Sequence, residues 1–130
     1  MEFVWRIAPA SGRLLLAVLF LAAGANKLQS PTATIAYIQQ AGLPLPVVAY
    51  LGSAFAEIVG GLLLLVGFQA RLAAAALAIF TVVAAALFHA DFGNANQSIH
   101  FMKNFAVAGG LLQVVAFGAG AFSLDTRRKT

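Results

Sequence analysis

The 130-residue sequence contains no cysteine. Without a thiol the chain can form no disulfide, thiolate nucleophile, Cys-ligated zinc site or iron–sulfur cluster. The sequence also has no phosphate-binding loop and no catalytic triad. A pair of acids is not available either, because Glu57 is the only acid inside an apolar run. Thiol chemistry is therefore excluded, and hydrolytic chemistry is not expected.

Charge is also scarce. Charged residues make up 9% of the chain, against a usual share of about 25%. Hydrophobic residues make up 62% and mean hydropathy is +0.91. Eight basic and four acidic side chains cannot cover the surface of a water-soluble globule. The net charge of +4 does not indicate a nucleic-acid partner, because the basic residues flank apolar runs. The composition predicts that the chain's main partner is the lipid bilayer.

Four continuous apolar runs lie at about 7–27, 47–68, 71–89 and 102–122. Each is long enough to cross a bilayer as a helix, and none alternates as a membrane strand would. No small-residue cleavage site follows the first run, so it is expected to remain as a span and not to be a signal peptide. The sequence predicts an all-α integral membrane four-helix bundle, with residues 1–130 as one domain.

The connection between the first two spans has helix signals of its own. Ser30 and Pro31 are typical of an N-cap followed by proline in the first turn. Ile35 and Ile38 form a short apolar stripe, which Gly42 ends. A short interfacial helix is predicted here.

Charge distribution predicts the orientation. Four spans place both termini on one side of the membrane, and cytoplasmic ends are rich in Lys and Arg. The terminal side would hold Arg6, Arg13, Arg71, Arg127, Arg128 and Lys129, and the other side Lys27 and Lys103. Both termini are therefore predicted to be cytoplasmic.

Glu57 is the most informative residue and the catalytic candidate. It lies about ten residues into the second run, near the bilayer midplane, where a charge is costly. Ala49, Ser53 and Gly61 recur at spacings of four with it and predict an inward, closely packed face. The carboxyl could transfer protons or bind a ligand. The alternative is a buried structural acid bonded to a neighbouring helix.

Other polar residues near the outer ends of the spans could form a mouth above Glu57 that binds a carbonyl or anionic head group. For most of them, interface anchoring is the competing interpretation. Gln113, at the depth of Glu57, could hydrogen-bond to it or simply join two helices. The ligand-binding candidates are Lys27, His89, Lys103, Asn104 and Gln113.

Structural or topological roles are predicted for Arg13, Arg71 and Asp125. The two arginines are expected to anchor the cytoplasmic side, with an ion pair to Asp125 or a lipid phosphate as the alternative. His89, Asp91 and His100 form only a loose metal- or haem-binding pattern. No metal site is predicted.

Three segments together resemble the DoxX family of small four-helix bacterial membrane proteins. They are residues 13–28, residues 57–71 with the sequence EIVGG, and residues 101–125 with FMKN, GGLL and SLD. The resemblance implies the bacterial inner membrane and a link to quinol oxidase and thiosulfate:quinone oxidoreductase systems. The family has no agreed catalytic set to carry over.

The resemblance and the polar residues together favour an accessory subunit of a quinone-linked redox system that binds a quinone-like molecule. The chain has no redox centre of its own, so a redox partner protein would supply electrons, and no covalent cofactor is implied. One alternative is a bundle, which could form a homo-oligomer, that binds or transports a small apolar molecule or lipid. Another is a non-catalytic scaffold. A ligand-sized cavity beside Glu57 would favour the first two.

Overall fold

The computed structural model describes residues 2–88 and 93–128. Its helices are α1 (Glu2–Gln29), α2 (Pro31–Gln40), α3 (Pro46–Val66), α4 (Ala70–Phe88), α5 (Ala95–Phe117) and α6 (Leu124–Arg128). Four of them, α1, α3, α4 and α5, are long and apolar enough to cross a membrane. No strand occurs in the two described stretches. The predicted all-α four-helix membrane bundle is confirmed.

The fourth spanning helix lies earlier in the chain than the predicted span. Asn94 caps its start, because its Oδ1 accepts from the backbone N–H groups of Asn96 at 2.9 Å and Gln97 at 3.4 Å. Gly118 ends the helix with a φ of 80°, a left-handed conformation that favours glycine. The polar residues between 95 and 101, which precede the predicted span at 102–122, are therefore helical. Helix α1 is also longer than its predicted span and continues past Pro9 to Glu2.

The short helix between the first two spans is present as α2. Pro31 occupies its first turn, and Ile38 is its buried residue. Gly42 follows with a φ of 83° and turns the chain toward α3. The predicted capping residue, Ser30, makes no side-chain capping bond, and its carbonyl accepts from the Thr34 N–H at 3.0 Å instead.

The spanning helices form two tightly packed pairs, α1 with α3 and α4 with α5. Small residues allow the first pair to approach closely. A Cβ on Gly61 would lie 2.9 Å from Cγ of Leu21 and 3.3 Å from its backbone N. A Cβ on Gly24 would lie 2.7 Å from Cδ1 of Ile58. Glu57, one turn before Gly61, is consequently held against α1.

A set of hydrogen bonds closes the end of the bundle where the chain begins and ends. Arg13, only 4% exposed, donates to the carbonyls of Leu64 at 2.7 Å, Leu65 at 3.1 Å and Phe122 at 2.5 Å. The first two carbonyls belong to the last turn of α3, and that of Leu64 also accepts from the backbone N–H of Gly67 at 3.2 Å. Arg13 thus joins α1, α3 and the segment after α5. We call this arrangement the Arg13 clasp.

Candidate functional site

A buried ion pair joins α1 to α3 on the opposite half of the bundle. Nζ of Lys27 lies 2.5 Å from Oε1 of Glu57. The Glu57 side chain is 5% exposed and the Lys27 side chain 26%. A carboxylate at this depth is stable only when a cation or hydrogen bonds compensate for its lost hydration. Lys27 provides that compensation, so the two residues form one unit.

Tyr50 bonds to the backbone of Lys27. Its hydroxyl donates to the carbonyl of Lys27 at 3.0 Å, and its side chain is 6% exposed. That carbonyl lies in the last turn of α1 and also accepts from the backbone N–H of Ser30 at 3.2 Å. Because Tyr50 precedes Glu57 by two helical turns, α3 presents both side chains to α1 on one face. The spacing was visible in the sequence, but Tyr50 was not among the predicted residues.

The ion pair lines a cavity of about 390 Å³, which we call the ion-pair cavity. Residues of α1 to α5 contribute to its wall, and most of them are apolar. Its volume lies within the range of about 300–1,000 Å³ that is typical of small-molecule sites. The polar side chains that line it are Lys27, Thr34, Tyr37, Ser53, Glu57, Thr81 and Asn104. The arrangement is an apolar chamber with a few polar groups, as expected of a ligand site.

The α4–α5 pair contributes Thr81 and Asn104 to the wall of the ion-pair cavity. Nδ2 of Asn104 donates to the carbonyl of Thr81 at 3.2 Å and so joins α5 to α4. Thr81 is 5% exposed, and its hydroxyl has no hydrogen-bond partner within the described stretches. Sequence reasoning missed Thr81, because a single threonine in an alanine-rich span gives only a weak signal.

Helix α2 covers one side of the ion-pair cavity. Tyr37 stacks on Phe88 of α4 with ring centroids 5.4 Å apart and planes inclined by 26°. Both rings line the cavity. This contact spans the gap between α2 and α4, so α2 is part of the chamber wall as well as a connection.

Two of the predicted ligand-binding residues lie elsewhere. Gln113 is exposed on the outside of α5, and no hydrogen bond joins it to Glu57. The reason is helical phase: Gln113 follows Asn104 by nine residues, which is half a turn out of register, so the two face opposite ways. Lys103 is likewise exposed and does not line the cavity. Among the predicted residues that the structure describes, Lys27, Glu57 and Asn104 are the ones that line the same cavity.

Of the loose pattern of His89, Asp91 and His100, only His100 lies within the described residues. His89 and Asp91 lie outside the described residues. His100 is exposed in the second turn of α5. Within residues 2–88 and 93–128, no three His, Cys, Asp or Glu side chains are grouped closely enough to hold a metal ion.

The structural candidates lie at the opposite end of the bundle. Asp125 accepts from the backbone N–H groups of Gln69 at 2.7 Å and Ala70 at 2.9 Å, and so caps the start of α4. Arg71 is exposed beside the turn at Gly118. Arg13 is enclosed in the clasp and is not a surface anchor. No salt bridge joins either arginine to Asp125 in the described part of the chain.

A second cavity, of about 430 Å³, lies at this end between Arg71, Asp125 and the segment 117–121. Its carboxylate is already used to cap α4. Neither of the buried side-chain atoms without a partner belongs to a residue of its wall. The ion-pair cavity is therefore the stronger candidate for a ligand site.

Four apolar helices around a buried ion pair and an apolar chamber define a small multi-pass integral membrane protein. Comparison with known proteins then identifies its family. The DoxX family model matches residues 8–90, which is more than half of the chain. The chain belongs to the DoxX family, and the resemblance stated above is confirmed. The matched region contains Lys27, Glu57 and Thr81, while Asn104 lies beyond it.

Two relatives come from Escherichia coli strain K12. The chain is 39% identical to inner membrane protein YqjF over 116 residues, which cover 87% of this chain and 85% of the relative. It is 28% identical to inner membrane protein YphA over 120 residues, which cover 88% and 86%. Both names state a location and no activity. No solved structure matches the chain.

Proposed function

We propose that this protein is an accessory subunit of a quinone-linked redox system in the bacterial inner membrane, and that its ion-pair cavity binds a quinone-like molecule. One observation carries the proposal: a ligand-sized apolar cavity has the buried Lys27–Glu57 pair in its wall. The DoxX membership and the inner-membrane relatives agree with the location.

The chemistry of the cavity fits a quinone head group. A quinone ring is flat and apolar, and its carbonyl oxygens accept hydrogen bonds. Phe20 and Phe80 are among the aromatic residues of the wall and can pack against such a ring. The Lys27 ammonium carries three N–H groups, of which one is used on Glu57, so others can donate to a carbonyl oxygen.

The ion pair also suits proton delivery. Reduction of a quinone adds two electrons and two protons, and the protons end on the two ring oxygens. Lys27 can donate one proton at Nζ to the ring oxygen bonded to it, and the adjacent Glu57 carboxylate can accept a proton from water at Oε1 and pass it back to Lys27. The proton on the second ring oxygen would come from water. The electrons would come from a redox partner protein in the membrane, because the cysteine-free chain offers no iron–sulfur site.

A second candidate function is binding or transport of another small apolar molecule or a lipid. The predominantly apolar wall supports it. Under this proposal the Lys27–Glu57 pair would bind one polar head group and donate no proton to it. A scaffold without a ligand is less well supported, because the interior beside Glu57 is a chamber and not a closed core.

Ligand retention tests the proposal. The protein would be purified in mild detergent, its bound small molecules extracted and identified by mass spectrometry, and its affinity for ubiquinone with one isoprene unit measured. We expect the wild type to retain a quinone and to bind this probe. The Lys27→Gln/Glu57→Gln double variant, which replaces the charges by two amides that can still bond to each other, should lose at least tenfold in affinity while remaining folded.

Lys103→Gln is the matched control, because Lys103 lies outside the cavity and its loss should leave affinity unchanged. Retention of a lipid or other apolar compound, with no affinity for the quinone, would favour the second candidate. Equal affinity in wild type and double variant would remove the ion pair from the site.

A further inference from the structure

The hydroxyl of Thr81 is a buried polar group to which none of the described residues bonds. Thr81 is 5% exposed, and its Oγ1 has no hydrogen bond within the described stretches. Buried hydroxyls are rarely left unpaired, because they lose hydration and gain nothing in return. Because Thr81 lies in the cavity wall, we expect its hydroxyl to bond to a molecule bound in the cavity.

Within α4, Thr81 does not make the hydrogen bond that a threonine in a helix usually makes. A threonine in a helix can donate to a carbonyl three or four residues earlier. Thr34 in α2 does so, since its Oγ1 donates to the carbonyl of Ser30 at 2.8 Å. Both threonines line the ion-pair cavity, but the hydroxyl of Thr81 has no partner in the part of the chain that the structure describes.

Asn104 provides further hydrogen-bonding groups beside Thr81. It lines the cavity and spends one N–H on the backbone carbonyl of Thr81. A carboxamide has a second N–H and an acceptor oxygen. These two residues belong to the α4–α5 pair, whereas Lys27 and Glu57 belong to the α1–α3 pair. The cavity therefore has polar groups on the walls that both helix pairs contribute.

We propose that Thr81 and Asn104 form a second hydrogen-bonding site in the ion-pair cavity, which binds the second polar group of a ligand whose first is bound by Lys27. The ligand class is then a flat apolar ring with carbonyl oxygens on two sides, and not a lipid or hydrocarbon with a single head group. The inference rests on the proposed function and specifies it further, by assigning two residues to the second carbonyl.

Two probes of similar size, one with two carbonyls and one with a single carbonyl, show whether the second carbonyl contributes to binding. 2-Methyl-1,4-naphthoquinone has two opposed carbonyls, and 1-tetralone has one. Affinities of both would be measured by equilibrium dialysis with the full chain in detergent. The absence of cysteine prevents addition of the quinone to thiols. We expect the wild type to bind the dicarbonyl about five- to tenfold more tightly, as one additional hydrogen bond would give.

Thr81→Val should abolish that preference, and Thr81→Ser should keep it. Thr34→Val is the matched control, because its hydroxyl is already paired, and it should also keep the preference. Thermal melting of each variant establishes that it is folded. The wild-type ratio is decisive by itself if Thr81→Val cannot be purified: a ratio near one overturns the inference.

A loss of affinity that is equal for both probes in Thr81→Val also overturns it, because the residue would then be structural. That result would leave the quinone proposal standing. Failure of the wild type to bind either probe would overturn both.

Discussion

Lys27 and Glu57 stabilise each other only as a pair. Glu57 is almost completely buried and bonds directly to the ammonium of Lys27. Loss of one partner leaves the other charge without compensation in a medium that hydrates it poorly. The pair is therefore a stability element whatever the cavity binds, and its stability role can be measured separately from ligand binding.

At this scale we predict that Glu57→Ala and Lys27→Ala each lower the free energy of unfolding by about 2–3 kcal/mol, because each strands a charge. The Lys27→Ala/Glu57→Ala double variant should lose less than the sum of the two. Unfolding in mixed detergent micelles, followed by circular dichroism, gives all three values. Additive losses would show that the two side chains do not interact in the folded protein.

Part of this site could be predicted from single residues. An acid in the middle of a span must face inward, so the sequence placed Glu57 correctly. Its partner could not be inferred, because Lys27 at the end of a span is equally typical of an interface anchor. Helical phase could have excluded Gln113 once Asn104 was placed, since nine residues separate opposite faces of a helix.

At the scale of the elements, the α1–α3 pair depends on glycine. Gly61 lies against the side chain and the backbone of Leu21, so any side chain there pushes the two helices apart. Gly109 in α5 differs, because a Cβ there would meet nothing within 4 Å. The two glycines have the same helical context and opposite surroundings.

We predict that Gly61→Ala destabilises the protein by about 1–3 kcal/mol through overpacking. Gly109→Ala should be neutral or stabilise it by up to about 1 kcal/mol, because alanine is the better helix former. The same micelle unfolding measurement compares them. A loss of stability in Gly109→Ala as large as in Gly61→Ala would contradict the packing described here.

The boundaries of the helices were harder to predict than the number of spanning helices. The four spans follow from the lengths of the apolar runs. The start of α5 was missed because residues 96–98 and His100 are polar, although Asn94 offers a good N-cap. The capping carboxylate of α4 could not be foreseen, since Asp125 reaches α4 from the far end of the sequence.

For the whole molecule, membrane orientation is the remaining prediction. The antiparallel order of four spanning helices places both ends of the chain on one face of the bundle. The excess of basic residues near those ends predicts that this face is cytoplasmic. The ion-pair cavity would then lie in the half of the membrane away from the cytoplasm.

Terminal fusions test this prediction. Green fluorescent protein fused to either end should fluoresce, and alkaline phosphatase fused to either end should be inactive, if both ends are cytoplasmic. Active phosphatase at both ends would reverse the orientation. Opposite results at the two ends would contradict an even number of spans.

The Arg13 clasp has a consequence for biosynthesis. Arg13 lies in α1, the first spanning helix, and the carbonyl it bonds at Phe122 follows α5, the fourth. Membrane helices can insert one at a time and associate afterwards. Because Phe122 follows the fourth spanning helix, the clasp can form only after translation of all four spans. Until then the Arg13 guanidinium must be kept hydrated or held by lipid phosphates.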